Sequence, residues 1–139
     1  MKPHQLFFHQ YRSMYRPYIN AANDCLGRHQ LFTAQWAVMK YIISTGPRTL
    51  VDIAAYQHVE KPTITRTVQK LIELHYVEVI PGKDKREKKI QLTELGRQVS
   101  ADVEITIEQF QLNALEGISI KEQMEVSRIL EKVKNNLVK

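Results

Sequence analysis

A chain of 139 residues is the usual length of one domain and can bury a substantial core. Apolar residues make up 43% and charged residues 25%, which excludes a disordered chain, and no apolar run is long enough to cross a bilayer. Cys25 is the single cysteine, so an intramolecular disulfide is excluded. Residues 1–18 lack the continuous apolar stretch of a secretion signal, so we expect a cytoplasmic protein without a membrane partner.

The formal net charge of +5 favours a polyanionic partner. Basic and acidic side chains number six and one in residues 1–48, eight and six in residues 49–93, and six and eight in residues 94–139. We therefore expect the last third of the chain to face away from a polyanion. A small positive charge that only keeps the protein soluble is the alternative interpretation.

Helical periodicity dominates the first half of the chain. Apolar side chains recur every three or four residues over 6–26, which predicts a long first helix that Pro17 should bend or divide. A second helix is predicted from Thr33, as its N-cap, to the Gly46-Pro47 breaker.

Two short helices with almost no loop between them are predicted over residues 50–58 and 61–74. In the second helix one stripe should pack, and it consists of Ile64, Val68, Leu71 and His75. The opposite stripe is polar and should face outward, and it consists of Arg66, Gln69, Lys70 and Glu73. Pro62 suits the first turn of this helix, where its missing N–H costs least.

Beyond this helix pair, the apolar period changes to two. Residues 77–80 and 89–92 alternate, which predicts two short strands. Pro81-Gly82 opens the turn between them, and residues 83–89 carry five basic and two acidic side chains. The segment is therefore a charged hairpin loop.

Two further helices complete the chain. Thr93 can cap the first, Gly117 breaks it, and a capping box of Ser119 and Glu122 opens the last. The apolar positions of these helices exceed what an exposed helix tolerates and include Phe110, Leu130, Val133 and Leu137. A twofold dimer would cover them, and an intramolecular core is the alternative.

Helix, tight turn, basic helix and basic hairpin follow one another in the order of a winged helix-turn-helix. An α-helix fits the major groove of duplex DNA, and a basic hairpin can reach the phosphates or the minor groove beside it. The predicted fold class is therefore mainly α with a small β-wing. Ordinary packing of two amphipathic helices is the alternative for residues 50–74 taken alone.

The residues resemble the multiple antibiotic resistance regulator (MarR) family of bacterial transcription factors over nearly the whole chain. The spacing D-x-R-x-x-x-x-x-L-T, which begins at Asp84 and ends at Thr93, is the strongest signal. The other specific segments are Ile53-Ala54 and residues 59–66.

The resemblance implies a role for the residues that match it. Arg86 would be the wing-tip arginine that reaches the minor groove, and Asp84 would hold the wing tip in shape by pairing with arginine. Three departures stand out: His58 and His75 replace glycines at the two ends of the groove-reading helix, and Val79 replaces a common arginine.

We predict DNA contacts from two segments. In the groove-reading helix they are Lys61, Pro62, Thr63, Thr65, Arg66, Gln69 and Lys70. In the wing they are Lys83, Asp84, Lys85, Arg86, Lys88 and Lys89. Arg66 suits a bidentate contact with guanine, whereas the lysines suit phosphates. A solvated surface role is the alternative for each lysine.

The resemblance also implies a homodimer that recognises a near-palindromic operator. We expect one domain over residues 1–139, with the winged helix-turn-helix in residues 33–93 and dimerisation helices in residues 1–32 and 94–139. Repression of promoters, with release by a small molecule or a stress signal, is implied by the family alone.

Three further hypotheses remain open at the level of sequence. Tyr11, Tyr15 and Trp36 are candidates for lining an effector pocket, with simple core packing as the alternative. Cys25 is a candidate oxidant sensor, or a packing residue. A winged-helix module that binds a protein instead of DNA is the remaining alternative function. No catalytic motif or metal-ligand spacing is present, so we expect neither an enzyme nor a cofactor.

Overall fold

The structure, a computed structural model, describes residues 1–84 and 86–139. Its elements in chain order are α1 (Pro3–Gly27), α2 (Thr33–Thr45), α3 (Leu50–Gln57), α4 (Lys61–Glu73), β1 (Val77–Pro81), β2 (Lys88–Leu92), α5 (Glu94–Ala114) and α6 (Ile120–Leu137). This order confirms the predicted mainly helical fold with a two-stranded wing. The chain forms two compact units, residues 1–107 and residues 108–139, and the boundary falls within α5.

The first two helices differ from their predicted forms in local detail. α1 continues through Pro17 without dividing there. α2 is capped by Phe32 rather than Thr33. The backbone N–H of Phe32 donates to the side chain of Gln35 (2.6 Å), and that of Thr33 donates to the side chain of Asn23 (3.0 Å), so both groups are satisfied without a threonine cap. The cap of α2 therefore does not follow the preference for serine or threonine on which the prediction relied.

The core of the first unit draws on every helix from α1 to α5. Its fully buried side chains include Leu26, Leu31, Val38, Met39, Ile53, Ile64, Leu71 and Val103. The packing stripe predicted for α4 is confirmed at Ile64, Val68 and Leu71. It is wrong at His75, which is exposed and lies beyond the helix end because α4 stops at Glu73.

A third backbone segment, absent from the sequence prediction, anchors the wing. β1 and β2 pair antiparallel in the register Val77↔Leu92 to Pro81↔Lys88. Arg48, between α2 and α3, then pairs with Ile90 through two backbone hydrogen bonds of 3.1 and 2.7 Å. The wing is thereby fixed to the segment that leads into the helix pair.

The Leu92-Thr93 pair places α5 against the turn that follows α4. The Thr93 hydroxyl accepts the N–H of Gly96 (2.9 Å), as predicted for an N-cap, and donates to the carbonyl of His75 (2.6 Å). A Cβ on Gly96 would lie 2.0 Å from the carbonyl oxygen of Tyr76. The Tyr76 phenol donates to the carbonyl of His29 (2.8 Å), and its burial raises its pKa.

The second unit contains the end of α5 and α6. The predicted capping box is confirmed, since the Ser119 hydroxyl accepts the N–H of Glu122 (3.1 Å) and the Glu122 carboxylate accepts that of Ser119 (2.9 Å). α6 has no buried residue, and its exposed apolar side chains include Met124, Val126, Leu130 and Leu137. Among the helices of the described residues, none has the length and apolar character needed to span a membrane.

Candidate nucleic-acid interface

α4 presents a continuous polar surface, opposite the stripe that packs into the core. The exposed residues include all seven predicted contacts of this helix, namely Lys61, Pro62, Thr63, Thr65, Arg66, Gln69 and Lys70. Arg66 lies opposite the buried stripe, since it follows Ile64 by about 200° around the helix. Its Nη2 donates to the Thr63 hydroxyl at 3.4 Å, which directs the guanidinium toward the start of the helix.

Both turns that flank α4 use a left-handed residue. His58 has φ +54° and ends α3, and His75 has φ +64° and follows α4. These are the two positions at which the family pattern has glycine, which adopts this conformation without strain. Each of these turns therefore carries a conformational cost that glycine would avoid. Ala54, near the end of α3, is buried.

Backbone hydrogen bonds hold the tip of the wing in a tight turn. The N–H of Gly82 donates to the carbonyl of Glu87 (2.7 Å), and the N–H of Glu87 to that of Asp84 (2.9 Å). The Asp84 carboxylate accepts the backbone N–H of Arg86 at 3.2 Å. The Asp84 carboxylate thus holds the turn through the backbone of Arg86, whose side chain is exposed, and the pairing of Asp84 with an arginine side chain stays a prediction.

The two lysines of β2 occupy different surroundings. Lys88 shares the strand face of buried Ile90 and is exposed, whereas Lys89 lies on the other face. The Lys89 ammonium lies 3.8 Å from the carboxylate of Glu87, and its side chain is 26% exposed. A partly neutralised cation attracts a phosphate less, so the two neighbours offer a matched comparison.

A groove joins the start of α4 to the wing. Lys61 borders it from α4, and Arg86 and Lys88 border it from the wing, over an apolar floor that includes Val79 and Ile90. Three cations from two predicted contact segments therefore line one depression, together with the carboxylates of Asp52 and Glu87, so cations exceed anions by one. This arrangement matches a polyanion that runs along the groove better than an uncharged ligand.

The start of α3 also borders this groove, and the sequence prediction missed it. Thr49 caps α3 by accepting the N–H of Asp52 (3.1 Å), and Asp52 accepts the N–H of Thr49 (3.3 Å). Val51 and Leu50 line the groove beside them. The signal was present in the sequence, since a threonine followed three residues later by an acidic residue is a capping box.

The remaining predicted site residues lie elsewhere. Tyr11 and Tyr15 are exposed on α1 and border a surface depression with Arg12. Trp36 does not line that depression and lies in the core, 6% exposed. Cys25 is half-buried, and its role as an oxidant sensor stays a prediction. Lys85 lies outside the described residues. In the part of the chain that the structure describes, no three His, Cys, Asp or Glu side chains are grouped as metal ligands.

An exposed polar helix, the tight turn before it and a basic hairpin beside it define a winged helix-turn-helix transcriptional regulator. The MarR family profile matches residues 29–87, which contain α2 to α4 and β1. An uncharacterised HTH-type transcriptional regulator of Staphylococcus aureus strain Mu50 is 30% identical over 138 residues, covering 97% of this chain and 94% of that relative. The chain belongs to the MarR family of transcriptional regulators.

Solved structures agree with this assignment. Staphylococcus aureus MarR in complex with salicylate and kanamycin is 28% identical with a TM-score of 0.85, covering 96% of this chain and 91% of that one. Staphylococcus aureus MepR in complex with DNA has the same fold, with 18% identity, a TM-score of 0.83 and coverage of 93% and 96%.

Proposed function

We propose that this protein binds duplex DNA through α4 and the wing, and that it acts as a dimeric repressor. The observation that carries the proposal is the groove where Lys61 of α4 and Arg86 and Lys88 of the wing come together. With α4 in the major groove, the wing tip reaches the adjacent backbone or minor groove. MepR, which shares the fold, is solved in complex with DNA.

Within α4, side-chain chemistry divides the contacts. Arg66 lies opposite the buried stripe and suits guanine, whose O6 and N7 accept two hydrogen bonds from one guanidinium. Gln69 is exposed one turn further along and suits adenine by the same bidentate logic. Lys61 and Lys70 contact phosphates, although Glu73 lies 4.0 Å from Lys70 and weakens its contribution.

In the wing, Arg86 enters or follows the minor groove, and the Asp84 carboxylate fixes the turn that presents it. Lys83 and Lys88 are exposed and contact phosphates. Lys89 and Lys85 belong to the proposed wing set, with Lys89 the weaker contributor because of its contact with Glu87.

Two copies of the chain are needed to cover the apolar surface and to read a near-palindrome. α1 exposes a series of large apolar side chains within the first unit, namely Leu6, Phe7, Phe8, Tyr11, Met14 and Tyr15. α6 exposes Leu130 and Leu137 within the second. We assign residues 1–32 and 94–139 to dimerisation and residues 33–93 to DNA binding. A twofold dimer places its two recognition helices about 34–36 Å apart, one turn of DNA.

Regulation follows the family pattern in this proposal. Staphylococcus aureus MarR is solved with salicylate and kanamycin, which supports release by a small molecule here. Tyr11 and Tyr15 are the surface aromatic residues for such a site, and Trp36 contributes to the core instead. A repressor of promoters performs no catalysis and works where the bacterial chromosome lies, in the cytoplasm.

The test is a duplex-binding titration at several salt concentrations. Binding releases counterions, so log K should fall with log salt with a slope of several units, by about 0.9 per phosphate contact. Lys88→Ala should reduce the slope by about two units, because each subunit of the dimer loses one phosphate contact. Lys89→Ala is the matched control and should reduce it by clearly less, because Glu87 already partly neutralises that lysine. Arg86→Ala should lower the affinity for DNA more than Lys88→Ala does, since it removes the wing-tip contact.

Absence of salt-dependent binding to any duplex would contradict the proposal and favour a winged-helix module that binds a protein. Equal slopes for the Lys88→Ala variant and the wild type would exclude Lys88 from the interface, and unchanged affinity in Arg86→Ala as well would exclude the wing tip while leaving α4 in the interface.

A further inference from the structure

Thr65 lies on the exposed surface of α4, and its hydroxyl is already engaged. The Oγ1 of Thr65 donates to the backbone carbonyl of Lys61 at 3.0 Å. A threonine hydroxyl carries one proton, so this bond uses the only hydrogen-bond donor of the side chain. What Thr65 retains for a ligand is its methyl group and the lone pairs of its oxygen.

The other two threonines of the helix differ from Thr65. Thr67 makes the same bond, to the carbonyl of Thr63 at 3.0 Å, but its side chain is half-buried. The hydroxyl of Thr63 accepts the Arg66 guanidinium at 3.4 Å and is directed toward that residue. Thr65 therefore combines an exposed position with a committed donor.

The groups that each base presents in the major groove determine which base such a side chain can recognise. Guanine presents two acceptors there and adenine one acceptor and one donor, so reading guanine requires a donor that Thr65 does not have. Thymine presents a methyl group, which threonine contacts through its own methyl. Thr65 is the fifth residue of α4, about 6 Å along the helix from Lys61, within the N-terminal part that reaches base edges.

We propose that Thr65 is a specificity residue that recognises a thymine in each half-site by contact between the two methyl groups. The assignment rests on the proposed function, since it requires α4 to lie in the major groove. The selectivity comes from apolar contact, so it should depend on the methyl group of the base and not on its hydrogen-bonding edge.

Replacing each thymine of a selected operator by deoxyuridine, one at a time in each half-site, tests this directly. Uracil keeps the pairing and the O4 acceptor and loses only the methyl group. Wild-type affinity should fall about fourfold per half-site at one thymine, the value expected for one buried methyl-sized group. It should change little at the other thymines.

Variants of the protein show whether Thr65 causes the loss of affinity on replacing thymine by uracil. Thr65→Ser keeps the hydroxyl and loses the methyl, so this variant should bind the thymine and uracil duplexes equally. Thr65→Val keeps a methyl group without the hydroxyl, so it should remain sensitive to uracil. Thr67→Ser makes the same chemical change at the half-buried position and should also remain sensitive. Circular dichroism melting checks that each variant is folded.

Distinct outcomes separate the two proposals. No binding of the wild type to any duplex contradicts the proposed function, and this assignment with it. Binding with no uracil effect at any thymine, or an undiminished effect in Thr65→Ser, contradicts the assignment alone. Weaker binding of Thr65→Val than of Thr65→Ser to the thymine and uracil duplexes alike would instead show that the hydroxyl oxygen makes the contact, and would contradict the assignment.

Discussion

Gly96 illustrates how one backbone contact positions two elements. A Cβ at this residue would lie 2.0 Å from the carbonyl oxygen of Tyr76, and neither backbone can move without disturbing the Thr93 cap of α5. We predict that Gly96→Ala lowers the free energy of unfolding by about 3 kcal/mol, the upper range for overpacking. Urea denaturation measures the change. Gly27→Ala is the control, since nothing lies within 4 Å of a Cβ there, and a comparable loss in both variants would contradict the packing argument.

His75 carries conformational strain that glycine would remove. Its φ of +64° is costly for a residue with a Cβ, by about 1 kcal/mol. The Thr93 hydroxyl bonds to the His75 carbonyl, which glycine retains. We therefore predict that His75→Gly raises the melting temperature, whereas His75→Ala, which keeps the Cβ, does not. Equal effects of the two substitutions would attribute the change to the imidazole instead of the backbone.

At the scale of elements, α6 depends on its capping box in a way that pH reveals. The hydrogen bond from the backbone N–H of Ser119, followed by that involving its side chain, lowers the pKa of the Glu122 carboxyl below its ordinary value of 4.5. A lowered folded-state pKa stabilises the helix fully above the unfolded value, and this stabilisation disappears as pH falls through the lowered pKa. We predict that the difference in helical content between wild type and Glu122→Ala shrinks between pH 6 and strongly acidic pH.

Far-ultraviolet circular dichroism across that pH range measures the difference. Ser119→Ala should cost about 1 kcal/mol as an N-cap loss and should reduce the pH dependence as well, because it removes the hydroxyl partner. A pH-independent difference between wild type and Glu122→Ala would contradict the role of the carboxylate.

Most of the elements could be predicted because their signals are local. The stripe of Ile64, Val68 and Leu71 and the capping box at Ser119 each lie within a few turns of one helix. The pairing of Arg48 with Ile90 could not be predicted in this way, since its partners are distant in sequence and Arg48 has no strand-like pattern around it.

The features of the candidate site also divide into those with a local signal in the sequence and those that depend on tertiary structure. The exposed face of α4 follows from helical periodicity alone. The unequal exposure of Lys88 and Lys89 depends on the register of β2 and on the position of the Glu87 side chain. A run of basic residues in the sequence indicates neither the register nor that position. The start of α3 joins the groove through tertiary packing, although its capping box at Thr49 was readable.

At the scale of the whole molecule, the exposed apolar face of α6 predicts self-association. Leu130 is 44% exposed in the chain by itself. We predict that Leu130→Lys weakens the dimer about 100-fold, since a twofold interface loses two buried leucines. Asn135→Lys introduces the same charge at an exposed polar position of the same helix and should leave the dimer intact. Sedimentation equilibrium measures both, and a dimer undisturbed by Leu130→Lys would exclude that residue from the interface.

The central claim is that two copies of α4 and the wing read adjacent turns of one duplex. Selection of bound fragments from a random duplex pool tests it most directly. The expected result is an enriched near-palindrome whose half-sites lie about 10 base pairs apart, centre to centre. Enrichment of a single unrepeated site, or of no sequence at all, would contradict it.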